Sequence, residues 1–509
     1  MPAVAVRTLA ALLLALSALL AAGCRGHVDA GTAVLIIESS PANLDPRVGT
    51  DAQSERIDKL LYDALLTRDE HFNLRPALAE SWQQTDPLTL VFHLRRGVLF
   101  HDGHVLASAD VKYTFDSILS GKIRSPKTST YASVLSVEAP DAQTVVFHLR
   151  EADASLPWNL SDGAIGIVEQ GTPAGATPVG TGPFRFVSAT QDRDVVIARN
   201  DSYWGQKPRL PRVRFLVVPD ATTRALELRK GSADAAINAL TPDTVLTLEH
   251  DPRLAIERAP GTIYTYLAMN LRDPVLRDVR VRQALALAID RQSIIDNLWH
   301  GMARPAASVL PPQHWAFDPT LPQLPHDVAR ARQLLDAAGY KPGTDGVRFH
   351  LTMKTSTEET TRLLAAVLQQ QLREAGIALD IRSYEFATFY ADVTHGSFQL
   401  FSLRWIGGNE DPDIYENIFA SASTPPRRNN RGFYASAEMD SLLAAARRST
   451  DQNERAALYR QVQQLAARDL PYINLWYLDN VLVHTRRLTD VRLDPAGSYD
   501  FLRTARLQP

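Results

Sequence analysis

A helical pattern from Thr360 to Ala375 stops at Gly376, and the alternating strand Ile377-Ala378-Leu379-Asp380-Ile381 begins at once. A glycine that closes a helix and hands the chain to a strand is the rhythm of an α/β layer. The punctuation recurs. Ala221 to Lys230 reads as a helix closed by Gly231, and Asp327 to Ala338 as one ended by Gly339. Val281 to His300 reads as a longer helix closed by Gly301, with Ala284, Leu287, Ala288 and Leu298 on one stripe. Asp451 followed by Glu454 has the form of a capping box opening a helix through Leu465. Residues 88–150 are richer in strands. Leu90-Val91-Phe92-His93-Leu94 and Val145-Val146-Phe147-His148-Leu149 are near copies, each running into arginine, and they flank a helix from Ser108 to Leu119. Pro- and Gly-rich stretches at 171–182, 305–325 and 421–430 read as loops or crossings between lobes.

A chain of 509 residues holds about three units of roughly 150 residues and buries ample core without staples. Its single cysteine excludes internal disulfides and Cys-based zinc or iron–sulfur sites. The balance of 54 Lys+Arg against 57 Asp+Glu argues against a nucleic-acid partner, which selects basic surfaces. Arg7 is the only charge before the apolar run Leu9 to Ala22, which ends at Ala21-Ala22-Gly23-Cys24. That run is shorter than the roughly 20 residues a bilayer requires and suits a signal-peptide core. Cys24 resembles the cleavage and lipidation site of a bacterial lipoprotein, although Ala21 stands where the pattern usually has leucine. The resemblance implies removal of residues 1–23, a tether over 24–33, and acyl chains on Cys24 holding a water-soluble body at a membrane surface. A plain secretory signal is the other reading. No later segment approaches 18 continuous apolar residues.

Seven blocks follow one another in register. They are Ala79–Trp82, Phe92–Gly103, Ala109–Phe115, Gly180–Phe184, Asn200–Gly205, Ala268–Asn270 before Val279–Ala284, and Trp405–Asp413. Together they resemble the large solute-binding proteins of bacterial peptide and nickel ABC importers, solute-binding family 5, over about residues 34–485. The resemblance implies an α/β, periplasmic-binding-protein-like fold: two α/β lobes, an extra domain and a ligand cleft between the lobes. Residues 34–50, 181–267 and 481–509 are assigned to lobe I, 51–180 to the extra domain inserted in it, and 268–480 to lobe II. It further implies a monomer without cofactor that captures a small ligand, peptide or peptide-like, and delivers it to an ABC permease with cytoplasmic ATPases. A nickel chelate or haem is the alternative cargo.

A hinged binder responds to ligand only if the ligand touches both lobes, because equal affinity for two states shifts nothing. Non-selective peptide binding would use backbone hydrogen bonds and charges for the termini. In the dipeptide binders of the family the ammonium anchor lies in a loop of the form Trp-x-Gly-Asp-Asn-Gly-Asp-Pro-Asp. The loop here is Trp405-Ile406-Gly407-Gly408-Asn409-Glu410-Asp411-Pro412-Asp413, with Gly408 at the aspartate position. Glu410 replaces the anchor, or the ligand lacks a free amine, or the alignment slips locally. The candidate ligand residues are Trp405, Asn409, Glu410, Asn270, Arg47 and Asp411. Each has a structural reading beside it: Trp405 as core, Asn270 as a strand end after Tyr264–Met269, Arg47 paired with Asp51, Asp411 and Asp413 as turn and capping carboxylates. Arg427-Arg428 beside Asn429-Asn430-Arg431 reads as a solvated loop, with contact to the permease or an anionic ligand as the minor reading. His101 and His104 straddle the turn signal Asp102-Gly103 and are not assigned to a metal. No G-x-S-x-G, H-E-x-x-H, P-loop or G-x-G-x-x-G pattern points to an enzyme, since Gly180-Thr181-Gly182 lacks the third glycine. A chaperone-like surface lipoprotein is a further class.

Overall fold

The computed structural model describes residues 31–161, 165–407 and 411–508. Cys24, Gly408, Asn409 and Glu410 therefore lie outside the described residues.

An eleven-stranded sheet forms the spine. From edge to edge it runs Ile377–Tyr384, Phe349–Ser356, Leu400–Trp405, Leu254–Met269, Tyr472–Thr485, Ala235–Ile237, Thr32–Ile37, Arg212–Val217, Asp194–Arg199 and Phe184–Thr190, with Ala303–Pro305 also on Tyr472–Thr485. Thr32–Ile37 is buried at every residue and lies parallel to both neighbours, as a strand covered on two faces must be. The two longest strands, Leu254–Met269 and Tyr472–Thr485, pair antiparallel in two stretches. The first, Leu254↔Thr485 to Ala259↔Asn480, borders Ala235–Ile237 in one half of the molecule. The register then shifts and resumes at Ile263↔Leu478, where Leu400–Trp405 is the neighbour in the other half. A ribbon two strands wide thus carries the chain between two α/β halves, with an irregularity at its waist. Gly261 sits there, and a Cβ on it would lie 2.3 Å from the Leu478 carbonyl oxygen.

The half that contains Trp405 packs helices on both sheet faces. Leu267, Met269, Leu351, Met353 and Leu400 meet the helices Val279–Ala288, Val328–Ala337 and Glu359–Glu374. The opposite face is aromatic, with Tyr264, Tyr266, Phe401, Tyr472 and Tyr477 against the helices Ile414–Phe419, Ala437–Arg448 and Gln452–Asp469. The inserted unit is a four-stranded antiparallel sheet in the order Ala79–Asp86, Thr89–Leu94, Thr144–Leu149, Val134–Glu138. Its two near-copy strands are direct partners, Leu90↔Phe147 and Phe92↔Val145, and Phe115 of the helix Ser108–Leu119 packs edge-on to Phe147 at 5.0 Å.

Several boundaries follow from local chemistry. Gly231 caps Ala221–Lys230 with φ 75°, a left-handed conformation that glycine adopts without a steric cost. Asp451 accepts from the amides of Asn453 and Glu454 at 2.8 and 2.9 Å and opens a helix that runs to Asp469, four residues past Leu465. One expectation fails: Val281 to His300 is two helices, Val279–Ala288 and Arg291–Leu298. Asp290 takes the amide of Ser293 at 2.9 Å and starts a second helix where the periodicity alone suggested continuation.

Candidate ligand-binding site

Trp405 ends its strand opposite Tyr264 and is half-buried. Its ring stacks on Tyr266 at 6.5 Å and 16°, and Tyr266 stacks in turn on Tyr472 at 4.3 Å. Period-two alternation places these side chains on one sheet face. Beside them lies Arg431, 5% exposed, its guanidinium 5.7 Å from the Trp405 ring and 5.1 Å from the ring of Tyr390. The segment is pinned before it reaches Arg431: Asn430 donates to the carbonyls of Ala420 and Tyr434 at 2.9 and 2.7 Å and accepts from the Tyr434 amide at 3.0 Å. Arg431 Nη2 donates to Tyr390 Oη and Asn429 Oδ1, both at 2.8 Å, and no carboxylate among the described residues pairs with it. Among the described residues, Arg431 Nε and Trp405 Nε1 are buried without a hydrogen-bond partner, whereas the hydroxyls of Tyr472 and Tyr266 face each other. Each such group costs about 1–3 kcal/mol when unpaired, and a buried guanidinium without a counter-charge costs more. Burial pushes the Tyr266 hydroxyl up to about 12 against the opposing Arg431 charge, so both Tyr266 and its neighbour Tyr472 are neutral donors at physiological pH. The solvated-loop expectation is therefore wrong for Arg431, because three distant aromatic residues bury it.

The other expected residues fall elsewhere. Asn270 donates to the carbonyls of Gly396 and Phe398 at 3.1 and 3.0 Å, and its Oδ1 accepts from the backbone amide and Nε of Arg272 at 3.2 and 3.3 Å. Those bonds use its amide fully in tying down the strand end. Arg47 is fully buried and pairs with Asp45, not Asp51, through Nε at 2.9 Å and Nη2 at 2.7 Å. Its remaining donors go to the carbonyls of Thr172 and Pro173, and Asp51 instead caps the helix Ala52–Leu61. His101 binds Gly182 O through Nε2 and the Gly180 amide through Nδ1, whereas His104 faces Asp110 and Glu169.

Asp411 lies where the two halves touch. Its Oδ1 accepts from the Asp413 amide at 2.7 Å, and both oxygens are 3.4 Å from Arg455 Nη2. The Arg455 guanidinium is stacked over Trp158 at 4.6 Å and Trp315 at 5.5 Å. Trp158 follows the inserted sheet and Trp315 belongs to the half carrying Trp405; their rings are 5.6 Å apart. Around them Ala154 N donates to Arg447 O at 3.0 Å, Trp315 N to His71 O at 3.3 Å, and Phe72 stacks on His314 at 5.4 Å. Arg447 also faces Glu416 at 2.7 Å and Asp153 at 3.8 Å. Asp413 makes no capping bond, contrary to expectation. Burial, with the charges of Asp411 and Glu416, pushes its carboxyl up to about 7.

The family model for bacterial extracellular solute-binding proteins, family 5 Middle, matches residues 73–425. The chain belongs to this family. It is 29% identical to di/tripeptide-binding protein 1 of Pseudomonas aeruginosa, over 93% of this chain and 94% of that protein. Among solved structures, DppA of Helicobacter pylori in complex with the peptide STSA superposes with a TM-score of 0.78 at 26% identity, covering 94% of this chain and 98% of the other. NikZ of Campylobacter jejuni in complex with Ni(L-His) gives 0.79 at 26%, covering 94% and 100%. The relatives are binding proteins, and the chain is a family 5 binding protein rather than an enzyme.

Two of the family 5 blocks, Gly180–Phe184 and Asn200–Gly205, build scaffold. Thr181, Tyr203 and Trp204 all donate to the buried carboxylate of Asp63, at 3.0, 3.1 and 2.8 Å. Gly180 and Gly182 wrap the end of the helix Ala52–Leu61, where a Cβ would lie 2.2 Å and 2.5 Å from backbone atoms of Leu61. A cavity of about 480 Å3 beside Asp63 is lined by residues of 59–77, Ser161, Tyr203, Trp204 and 492–504. None of these comes from the half that carries Trp405, so a ligand there would not span the halves.

Proposed function

We propose that this family 5 protein captures a peptide or peptide-like ligand between its halves at the Trp405 face and delivers it to an ABC permease. Lobe I (34–50, 181–267 and 481–509) with the inserted 51–180 closes on lobe II (268–480), and lipidated Cys24 keeps the body near the extracytoplasmic membrane surface. The observation that carries the reading is the half-open aromatic column of Trp405, Tyr266 and Tyr472 next to the two strands that join the halves. A stacking surface beside a ribbon connection suits a ligand held by shape and backbone contacts, and ligand touching both halves biases closure. Near full-length similarity to a di/tripeptide-binding protein supports the peptide class. Asn409 and Glu410 stay candidates for the ligand's amino end, with Glu410 in the role that Gly408 leaves empty.

Native mass spectrometry of the purified protein tests the cargo. A ladder of peptide masses is the expected result; a single metal-chelate or haem mass would replace the peptide reading. Palmitate labelling in a bacterial host tests the anchor: incorporation lost in Cys24→Ala supports it, and an unlabelled wild type would leave a cleaved secretory signal.

A further inference from the structure

The Trp405 face has an unequal inventory of hydrogen-bonding groups. Among the described residues, Arg431 Nε and Trp405 Nε1 are buried donors without an acceptor. The acceptors Arg431 has among the described residues, Tyr390 Oη, Asn429 Oδ1 and the neighbouring Tyr266 hydroxyl, are neutral. No carboxylate among the described residues pairs with its guanidinium, although it is 5% exposed. Other buried arginines with ring contacts in this protein have an acid: Arg47 has Asp45 and Arg455 has Asp411. Buried charges are ordinarily paired, and a planar guanidinium flanked by donor groups matches a planar anion with several acceptor oxygens. The rings beside it are the route in, since Tyr390 is 38% exposed and Trp405 is half-buried.

We propose that Arg431 is the anchor for a carboxylate of the ligand, which binds along its Nε edge with Trp405 Nε1 alongside and supplies the counter-charge that none of the described residues provides. For a peptide this is the C-terminal carboxylate, so Arg431 sets which end of the ligand lies against lobe II. The inference rests on the reading that ligand sits at the Trp405 face, and it extends to any non-peptide cargo that carries a carboxylate. Tyr390 Oη acts as the placeholder that a ligand oxygen displaces.

Isothermal titration of the full-length protein in mild detergent, with Ala-Phe and Ala-Ala-Phe as free acids and as C-terminal amides, tests it. The acids are expected to bind at least tenfold more tightly than the amides. Arg431→Met should remove that preference, weakening the acids by tenfold or more and the amides little, while Arg431→Lys retains part of it. Equal affinity of acid and amide for the unmodified protein overturns the proposal without any variant, so a misfolded Arg431→Met cannot mask the answer. An Arg431→Met protein that melts normally and binds the acids as before overturns it too. If none of these peptides binds, the peptide reading fails separately and the copurified ligand decides: a carboxylate-bearing molecule released by Arg431→Met sustains the anchor, and a neutral or purely cationic one ends it.

Discussion

Two arginines in the same half of the molecule are buried to almost the same degree and stacked on aromatic rings, yet they sit in opposite electrostatic settings. Arg455 is 1% exposed, lies over Trp158 and Trp315, and faces Asp411 at 3.4 Å. Arg431 is 5% exposed, lies by Trp405 and Tyr390, and faces no acid among the described residues. Aromatic faces contribute about 0.5–2 kcal/mol to a cation, too little to offset burial of the charge. The first carries its counter-charge where the halves touch. The second has only neutral partners among the described residues. A buried cation beside a half-open aromatic face, with no acid facing it among the described residues, is what distinguishes the proposed ligand site from the contact between the halves.

The largest effect should come from removing the cation of the ion-paired site. Arg455→Met leaves Asp411 buried without the cation it faces, and should lower stability by about 3–5 kcal/mol in urea unfolding. Adding Asp411→Asn should recover part of that loss; a single variant within 1 kcal/mol of wild type would erase the distinction between the two arginines. Next is pH. The folded Asp413 carboxyl titrates near 7 against an ordinary value of 3.8, so between those limits the folded state binds the extra proton. Its contribution is therefore most favourable at low pH and is lost as pH rises through 7, by an amount of the order of 2–4 kcal/mol for a buried carboxyl. The wild-type minus Asp413→Asn difference in stability, measured from pH 4 to 8, should fall with pH; a flat difference would place Asp413 with the ordinary carboxylates.

Trp405→Ala should weaken ligand binding by about 1–3 kcal/mol by calorimetry, with the melting temperature little changed, because a half-exposed ring contributes more to a stacked partner than to the core. Unchanged affinity would move the site away from this face. The smallest effect is reserved for Asn270→Ala: about 1 kcal/mol of stability and no change in affinity, since its amide is spent on Gly396, Phe398 and Arg272. Loss of binding without loss of stability would return Asn270 to the ligand.

What could be read from the sequence was what short-range chemistry decides. Gly231 and Asp451 announced helix ends because a left-handed cap and a side-chain cap are properties of a few neighbouring residues. The blocks around Gly180 and Tyr203 were legible as a family pattern because close backbone approach and the Asp63 hub tolerate few residue types. Arg431 was not legible. Its neighbours Arg427 and Arg428 give the segment the look of a solvated loop, and Arg427 is indeed exposed. The rings that bury Arg431 come from positions 266, 390 and 405, and no local pattern reports that convergence. The break at Asp290 was missed for the opposite reason, since apolar spacing continued across a residue whose side chain begins a second helix.

The ribbon between the halves has a kinetic meaning. Its register slips at residues 260–262, and Gly261 leaves no space for even a methyl against the Leu478 carbonyl. The angle between the halves is thus set by backbone against backbone, at a residue that is not one of the rings proposed to touch cargo. Dwell time and selectivity are therefore separate dials: Gly261→Ala would change how long a ligand is retained, read as a dissociation rate, and leave the ranking of ligands where the aromatic face put it.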